Sequence, residues 1–138
     1  TAPVATTRQL AEIVYQVIFK KPGQPDPATR TFQALRIAVN DELGELERGL
    51  AGGLSVLKPG GRLAVVTFHS LEDRMVKNFM RTGNVAGEAQ KDFFGVTRSP
   101  WRMITRQPIE PSEEEVERNP RSRSAKLRIA ELIDKPGQ

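Results

Sequence analysis

His69, Ser70, Glu72, Asp73 and Arg74 place an imidazole, a hydroxyl, two carboxylates and a guanidinium within six consecutive positions. His69 is the one histidine of the chain, and it follows directly on Arg62–Phe68, a run that is almost continuously apolar after its first residue. Such a run fits a strand buried on both faces of a sheet. Ser70 and Asp73 then have the Ser-x-x-acid spacing of a helix start, with Leu71, Met75, Val76, Phe79 and Met80 along its inner face. A strand feeding directly into a helix is the α/β signature, and the C-terminal end of a parallel strand faces the crevice where such folds bind ligands. His69 and Ser70 are therefore the candidate catalytic residues, His69 to accept a proton or contact a substrate.

Each of these residues also has a plainer use. His69 can tie the strand end to neighbouring backbone, and Ser70 can simply cap the helix. Glu72 and Asp73 suit the positive end of the helix without any substrate. Arg74 and Lys77 fit a phosphate contact and a solvated helix face equally well. A serine hydrolase built on His69 is disfavoured, because the chain has no Gly-x-Ser-x-Gly elbow and no identifiable triad partners.

Two further groups carry charge in a pattern. Arg121, Arg123, Lys126 and Arg128 follow Asn119-Pro120, and such a cluster neutralises phosphates readily. Arg30, Gln33, Arg36 and Asn40 are compatible with one polar helix face that could line an RNA groove. Trp101 and the pair Phe93-Phe94 offer aromatic faces to stacked bases, or else bury under the loop that carries them. The balance of 21 Lys and Arg against 17 acids favours a polyanionic partner.

The elements that must position these groups can be read from spacing. Thr6 and Gln9 form a capping box ahead of a helix over about 7–20, which stops at Lys20-Lys21-Pro22-Gly23; Gln24–Pro27 continues as a proline-rich linker. Phe32, Leu35, Val39, Leu43, Leu46, Leu50, Leu54 and Leu57 then mark the seam of one long amphipathic helix or two consecutive ones, weakened by Gly44, Gly49, Gly52 and Gly53. Lys58-Pro59-Gly60-Gly61 is a tight turn. Residues 82–100 lapse into glycine and polar residues and suggest a mobile surface loop. Strands are expected over 102–109 and 125–133, with Ser112 and Glu115 capping a single acidic turn between them and a frayed end over Asp134–Gln138.

Composition sets the outer bounds. No cysteine and a single histidine exclude a disulfide framework and make a metal site built only from this chain improbable. No run of about 18 apolar residues is present, so no membrane partner is expected, and the N-terminus lacks the form of a signal peptide. The expected location is the cytoplasm.

Three segments together resemble one family: Asp26–Ile37 (DPATRTFQALRI), the turn Lys58–Leu63 (KPGGRL) running into Phe68–Arg74 (FHSLEDR), and Asn119–Arg128 (NPRSRSAKLR). In order and spacing they are similar to the MraW family of ribosomal small-subunit methyltransferases, also called methyltransferase H. The lysine-proline-glycine turn is shared by many class I methyltransferases, whereas the other two motifs are narrower. The resemblance implies an α/β fold: the C-terminal part of a class I, Rossmann-like methyltransferase sheet, with residues 1–24 ending an inserted helical domain and residues 25–138 belonging to the methyltransferase domain. Residues 63–68 would be strand five, and the last two strands would be six and seven, the antiparallel hairpin ending such sheets.

What the resemblance implies about function follows from there. The family uses S-adenosyl-L-methionine to methylate the exocyclic N4 of a cytidine in the decoding region of 16S rRNA, so the implied partner is that RNA or the 30S subunit. The glycine-rich turn and ribose-binding acid expected in strands one to four are absent from this chain, so it is expected to supply no cofactor-binding residue and to be inactive alone. Asp26 stands where the family usually has His, and no role carries over. Because an exocyclic amine shares its lone pair with the ring, alignment of amine, methyl and sulfur matters more than one strong base. The RNA-contacting residues expected on these grounds are Arg30, Arg36, Asn40, Arg74, Lys77, Arg121, Arg123 and Lys126. The rival expectation is a non-catalytic RNA-binding or ribosome-assembly module that keeps this scaffold. An unpaired sheet edge at residues 63–68 would also invite self-association.

Overall fold

The computed structural model describes residues 2–135, which form two compact units dividing after Gly44. Of the expected frayed end, Pro136–Gln138 lie outside the described residues.

The first unit pairs two helices, α1 (Thr7–Val17) and α2 (Pro27–Asn40). The capping box forms as expected: Thr6 Oγ1 accepts from the Gln9 amide at 3.2 Å, and Gln9 Oε1 accepts from the Thr6 amide at 3.1 Å. α1 ends three residues earlier than its pattern suggested, and Val17, Ile18 and Phe19 are exposed. The linker is also shorter than expected, because Pro27 is the first residue of α2 rather than part of a proline-rich connection. Proline suits that position, since its missing N–H would have no helical partner there. Asp26 caps α2, accepting from the Ala28 amide at 2.9 Å, and the Tyr15 hydroxyl donates to the same carboxylate at 2.8 Å.

The leucine seam resolves into two helices, α2 and α3 (Glu42–Val56), and the break falls at Asp41 rather than at the glycines. Asp41 takes the left-handed conformation, φ 49°, which short polar side chains tolerate better than most. Its carboxylate crowds Gly44 so closely that a Cβ there would lie 2.5 Å away. Gly44 therefore permits the break, while α3 runs unbroken through Gly49, Gly52 and Gly53. Leu35 and Val39 are 47 % and 81 % exposed, so the α2 half of the seam is not core.

The second unit is a three-stranded antiparallel sheet with helices on one face. Its strands are β1 (Arg62–Thr67), β4 (Trp101–Met103) and β5 (Lys126–Leu132), in the order β1-β5-β4. Helix α4 (Ser70–Thr82) follows β1, and a small hairpin of β2 (Gln90–Lys91) and β3 (Thr97–Arg98) occupies part of the segment expected to be irregular. The acidic turn capped by Ser112 is α5 (Glu113–Arg118), followed by a 3-10 turn over Pro120–Ser124. The expected strand over 102–109 is interrupted: regular pairing ends at Met103, the Ile104 and Thr105 amides still donate to Ile129 O, and Ile109 pairs again with Leu127.

β5 lies in the middle because its alternation supplies one side that is buried from Arg128 to Leu132. Arg128, Ala130 and Leu132 face the helices, and Leu50, Val76, Phe79, Met80 and Trp101 close the core with Ala130 and Leu132. Directly opposed residues of antiparallel strands share a face, so Leu63, Val65 and Thr67 of β1 lie on that same side. The other side is not covered as the apolar run had suggested. Val66 is 53 % exposed and Phe68 55 %, and the burial of β1 alternates along its length. The almost continuously apolar run was compatible with a strand covered on both faces; the described residues cover one.

Candidate functional site

The narrow motifs meet at one corner of the second unit. In the antiparallel register of β1 and β5, Thr67 lies opposite Lys126. The end of β1, where the chain turns into Phe68-His69-Ser70, therefore stands beside the start of β5, where Arg121–Ala125 enters the sheet. Backbone pairing alone brings together groups more than 50 positions apart in sequence.

At this corner the helix cap is His69 and not Ser70. His69 Nδ1 accepts from the Glu72 amide at 3.4 Å, and its Nε2 lies 3.3 Å from Glu72 Oε1. Glu72 reaches back with its other oxygen to the Phe68 amide at 3.0 Å. The Ser-x-x-acid spacing misassigned the cap by one residue, because imidazole can accept an amide proton as a serine hydroxyl does and His69 has the extended backbone that an N-cap requires. Ser70 is the first helical residue and is exposed. The His69 side chain is only 7 % exposed, and its Nδ1 lone pair serves the helix.

The feature that the sequence reading missed is a buried ion pair. Arg128 Nε donates to Asp73 Oδ1 at 2.7 Å, and a terminal nitrogen of the same guanidinium donates to Oδ2 at 3.0 Å. The two side chains are 6 % and 13 % exposed. Arg128 is thus not a phosphate ligand in waiting, as its place beside Lys126 had suggested. A signal was present: in the alternation of β5, Arg128 shares its side with Ala130 and Leu132, so a charge there must be buried and paired. The Arg128 hydrogen bonds hold the Asp73 carboxyl below its ordinary value against the cost of burial, and the charges of Arg128, Lys126 and Lys77 act in the same direction.

Around this pair the structure groups Lys77 of α4 with Lys126 of β5, both half-buried and both close enough to act on Asp73. Arg74, Arg121 and Arg123 are exposed. In the 3-10 turn the side chains alternate: Ser122 is buried with its hydroxyl donating to Asn119 O at 2.8 Å, so the arginines on either side of it remain in solvent. Arg30, Arg36 and Asn40 belong to the first unit. With Gln33 they lie within an arc of roughly 120° on α2, from 3.6 residues per turn; Arg36 is paired with Glu42 at 2.8 Å.

The corner is thus basic and organised by strand pairing, with His69 capping the helix and Arg128 paired to Asp73. The sequence matches the MraW methylase family over residues 1–133. The chain belongs to that family. It is 58 % identical over 141 aligned residues to Ribosomal RNA small subunit methyltransferase H of Methylorubrum populi, across 98 % of this chain and 40 % of that protein. The protein of the same name from Parabacteroides distasonis is 62 % identical over 104 residues, 75 % of this chain and 34 % of its own length. That of Azorhizobium caulinodans is 54 % identical over 98 % of this chain. The chain spans about two fifths of the length of these curated relatives.

Membership in the MraW methylase family implies a methyl donor of the S-adenosylmethionine type, and the β1–α4 turn does not fit one. Thr67-Phe68-His69-Ser70 contains no glycine for close backbone approach, and the Phe68 and Glu72 amides are already taken by Glu72 and His69. No helix of the described residues is long and apolar enough to cross a membrane.

Proposed function

We propose that this chain is the C-terminal part of a cytoplasmic, S-adenosylmethionine-dependent methyltransferase acting on N4 of a cytidine in the decoding region of 16S rRNA, within the RNA or the 30S subunit. In this reading it closes the sheet of a class I methyltransferase domain and presents an RNA-facing corner. Residues 1–24 end an inserted helical domain, and 25–138 belong to the catalytic domain. The observation that carries the reading is the meeting of Phe68–Arg74 with Asn119–Arg128 through the Thr67–Lys126 pairing. The central antiparallel β5, flanked by β1 and β4, supports its placement at the end of such a sheet.

In this reading the donor supplies the methyl group when bound by residues outside this chain. The residues here bind and position. Arg121, Arg123 and Arg74 hold phosphate, Lys77 and Lys126 extend the positive field, and His69 fixes the strand-to-helix turn that borders the target base, with Ser70 exposed beside it. The Arg30, Arg36 and Asn40 face gives the first unit an RNA surface of its own. The alternative, a non-catalytic RNA-binding or assembly module that keeps this scaffold, shares the basic corner and differs in whether methyl transfer ever occurs.

Two outcomes are expected. Replacing Arg121 and Arg123 by alanine weakens binding of small-subunit rRNA and makes its dependence on salt shallower by about two counterions, since each phosphate contact contributes roughly 0.7–0.9 to the slope of log K against log salt. Filter binding across a salt series measures this, and an unchanged slope places the arginines away from the RNA. The chain alone also self-associates through the edge of β1, which pairs with no other strand among the described residues and lies beside the uncovered face where Val66 and Phe68 stay more than half exposed. Light scattering over a dilution series tests it; a monomer at every concentration, with slow amide exchange at Val65 and Val66, contradicts it.

A further inference from the structure

The β2–β3 hairpin ends in a loop whose conformation is held from within. Asp92 Oδ1 accepts from the Phe94 and Val96 amides, both at 2.9 Å, while the Asp92 and Gly95 amides bond to Val96 O and Asp92 O at the same distance. Gly95 has φ +78°, the left-handed conformation that lets a three-residue hairpin loop close. The segment leading into the hairpin is braced as well: Asn84 bonds the backbone of Glu88 in both directions, and Asn78 donates to Val85 O.

This braced loop holds two phenylalanines out in water. Phe93 is 97 % exposed and Phe94 86 %, with ring centroids 5.6 Å apart and planes at 89°. Folding gains almost nothing from either ring, because neither loses much contact with water. Rigid presentation of apolar rings at a tip is the arrangement expected of a contact device rather than of a core. The charges beside the rings sum to one positive, since Asp92 offsets one of the two cations. Lys91 and Arg98 are exposed, whereas the Asp92 carboxylate is engaged by two amides with Arg98 at 3.8 Å. The acid Glu88 stands at the base of the hairpin, away from the rings.

We propose that the Phe93–Phe94 tip is a stacking finger for unpaired bases of single-stranded RNA, with Lys91 and Arg98 meeting the adjoining phosphates. This inference rests on the RNA reading given above and adds a contact that is distinct from the basic corner. Every base has a π face, so the contact tolerates many sequences, and two mutually perpendicular rings leave faces open in two directions. Flanking cations supply the attraction that a purely apolar tip lacks.

The test uses the 138-residue chain and a labelled single-stranded oligoribonucleotide, followed by anisotropy, beside a duplex RNA and vesicles of anionic phospholipid. The double variant Phe93→Ala/Phe94→Ala binds the single strand about tenfold to a hundredfold more weakly. Its salt slope and Tm are unchanged, since the rings release no counterions and bury no core. Phe93→Trp retains binding, and its emission is quenched by the oligonucleotide. Equal affinity of the double variant and the unsubstituted chain overturns the finger while leaving the RNA reading intact. So does an effect on the duplex as large as on the single strand. Vesicle binding or dimerisation that is lost in the double variant, with RNA affinity unmoved, assigns the tip to a lipid surface or a second copy and overturns the finger. Absence of RNA binding by the unsubstituted chain overturns the RNA reading for this chain and the finger with it.

Discussion

Arg128→Met is expected to destabilise the second unit by about 3–5 kcal/mol, because it leaves the Asp73 carboxylate buried without its partner. The guanidinium makes two bonds to that carboxylate, at 2.7 and 3.0 Å, in a site where both side chains are nearly inaccessible. Methionine restores volume but no donor. The double variant Asp73→Leu/Arg128→Met is expected to recover most of the loss, since a well-packed apolar pair avoids the desolvation of both ions. Urea unfolding separates the cases: a double variant as unstable as the single one shows that the pair serves something other than mutual compensation. The pair also predicts an acid limb. The folded-state value of Asp73 is lowered, so its contribution to stability is complete above the ordinary carboxyl range of about 3.9 and is lost as pH falls through the lower folded value. The unsubstituted chain therefore loses stability below about pH 4 more steeply than the double variant does. Parallel acid limbs in the two proteins contradict the assignment.

Methyl transfer to small-subunit rRNA is expected to stay at background for this chain alone and to rise by orders of magnitude when the chain is joined to the three fifths of a relative that it does not match. The relative from Methylorubrum populi is suitable, being 58 % identical across nearly the whole of this chain. Transfer requires donor sulfur, methyl carbon and acceptor nitrogen in line at near-contact distance, and misplacement by about 1 Å costs roughly a hundredfold. The basic corner offers cations and a capped helix, and its Phe68 and Glu72 amides are engaged within the turn, so in the proposed reading the donor is held by residues outside this chain. Incorporation of labelled methyl groups by the chain alone overturns this expectation. Failure of the joined protein, when folded and able to bind RNA, favours the assembly-module reading instead.

Local signals settled much of the backbone: the capping box of Thr6 and Gln9, the Ser112 cap and the strand–helix succession from Arg62 to Thr82 all depend on residues within a few positions of one another. Family membership was legible for the same reason, because Phe68–Arg74 and Asn119–Arg128 are contiguous motifs. The errors arose where several local solutions have similar energy. A histidine or a serine can cap α4; glycines or an aspartate can break the leucine seam; a short apolar run can be covered on one face or on both.

Only the tertiary structure decided between these. The Thr67–Lys126 register joins the two motifs into one corner, and the burial of Arg128 against Asp73 turns a residue of the basic run into a structural ion pair. Trp101 and Phe93-Phe94 were indistinguishable as aromatic candidates. The fold buries Trp101 against Phe79 and leaves both phenylalanines in solvent. The physical reason is common to all of them. Side-chain chemistry and local spacing are properties of a few neighbouring residues, whereas burial and long-range pairing depend on which surface another part of the chain removes from water, a quantity with no local signature.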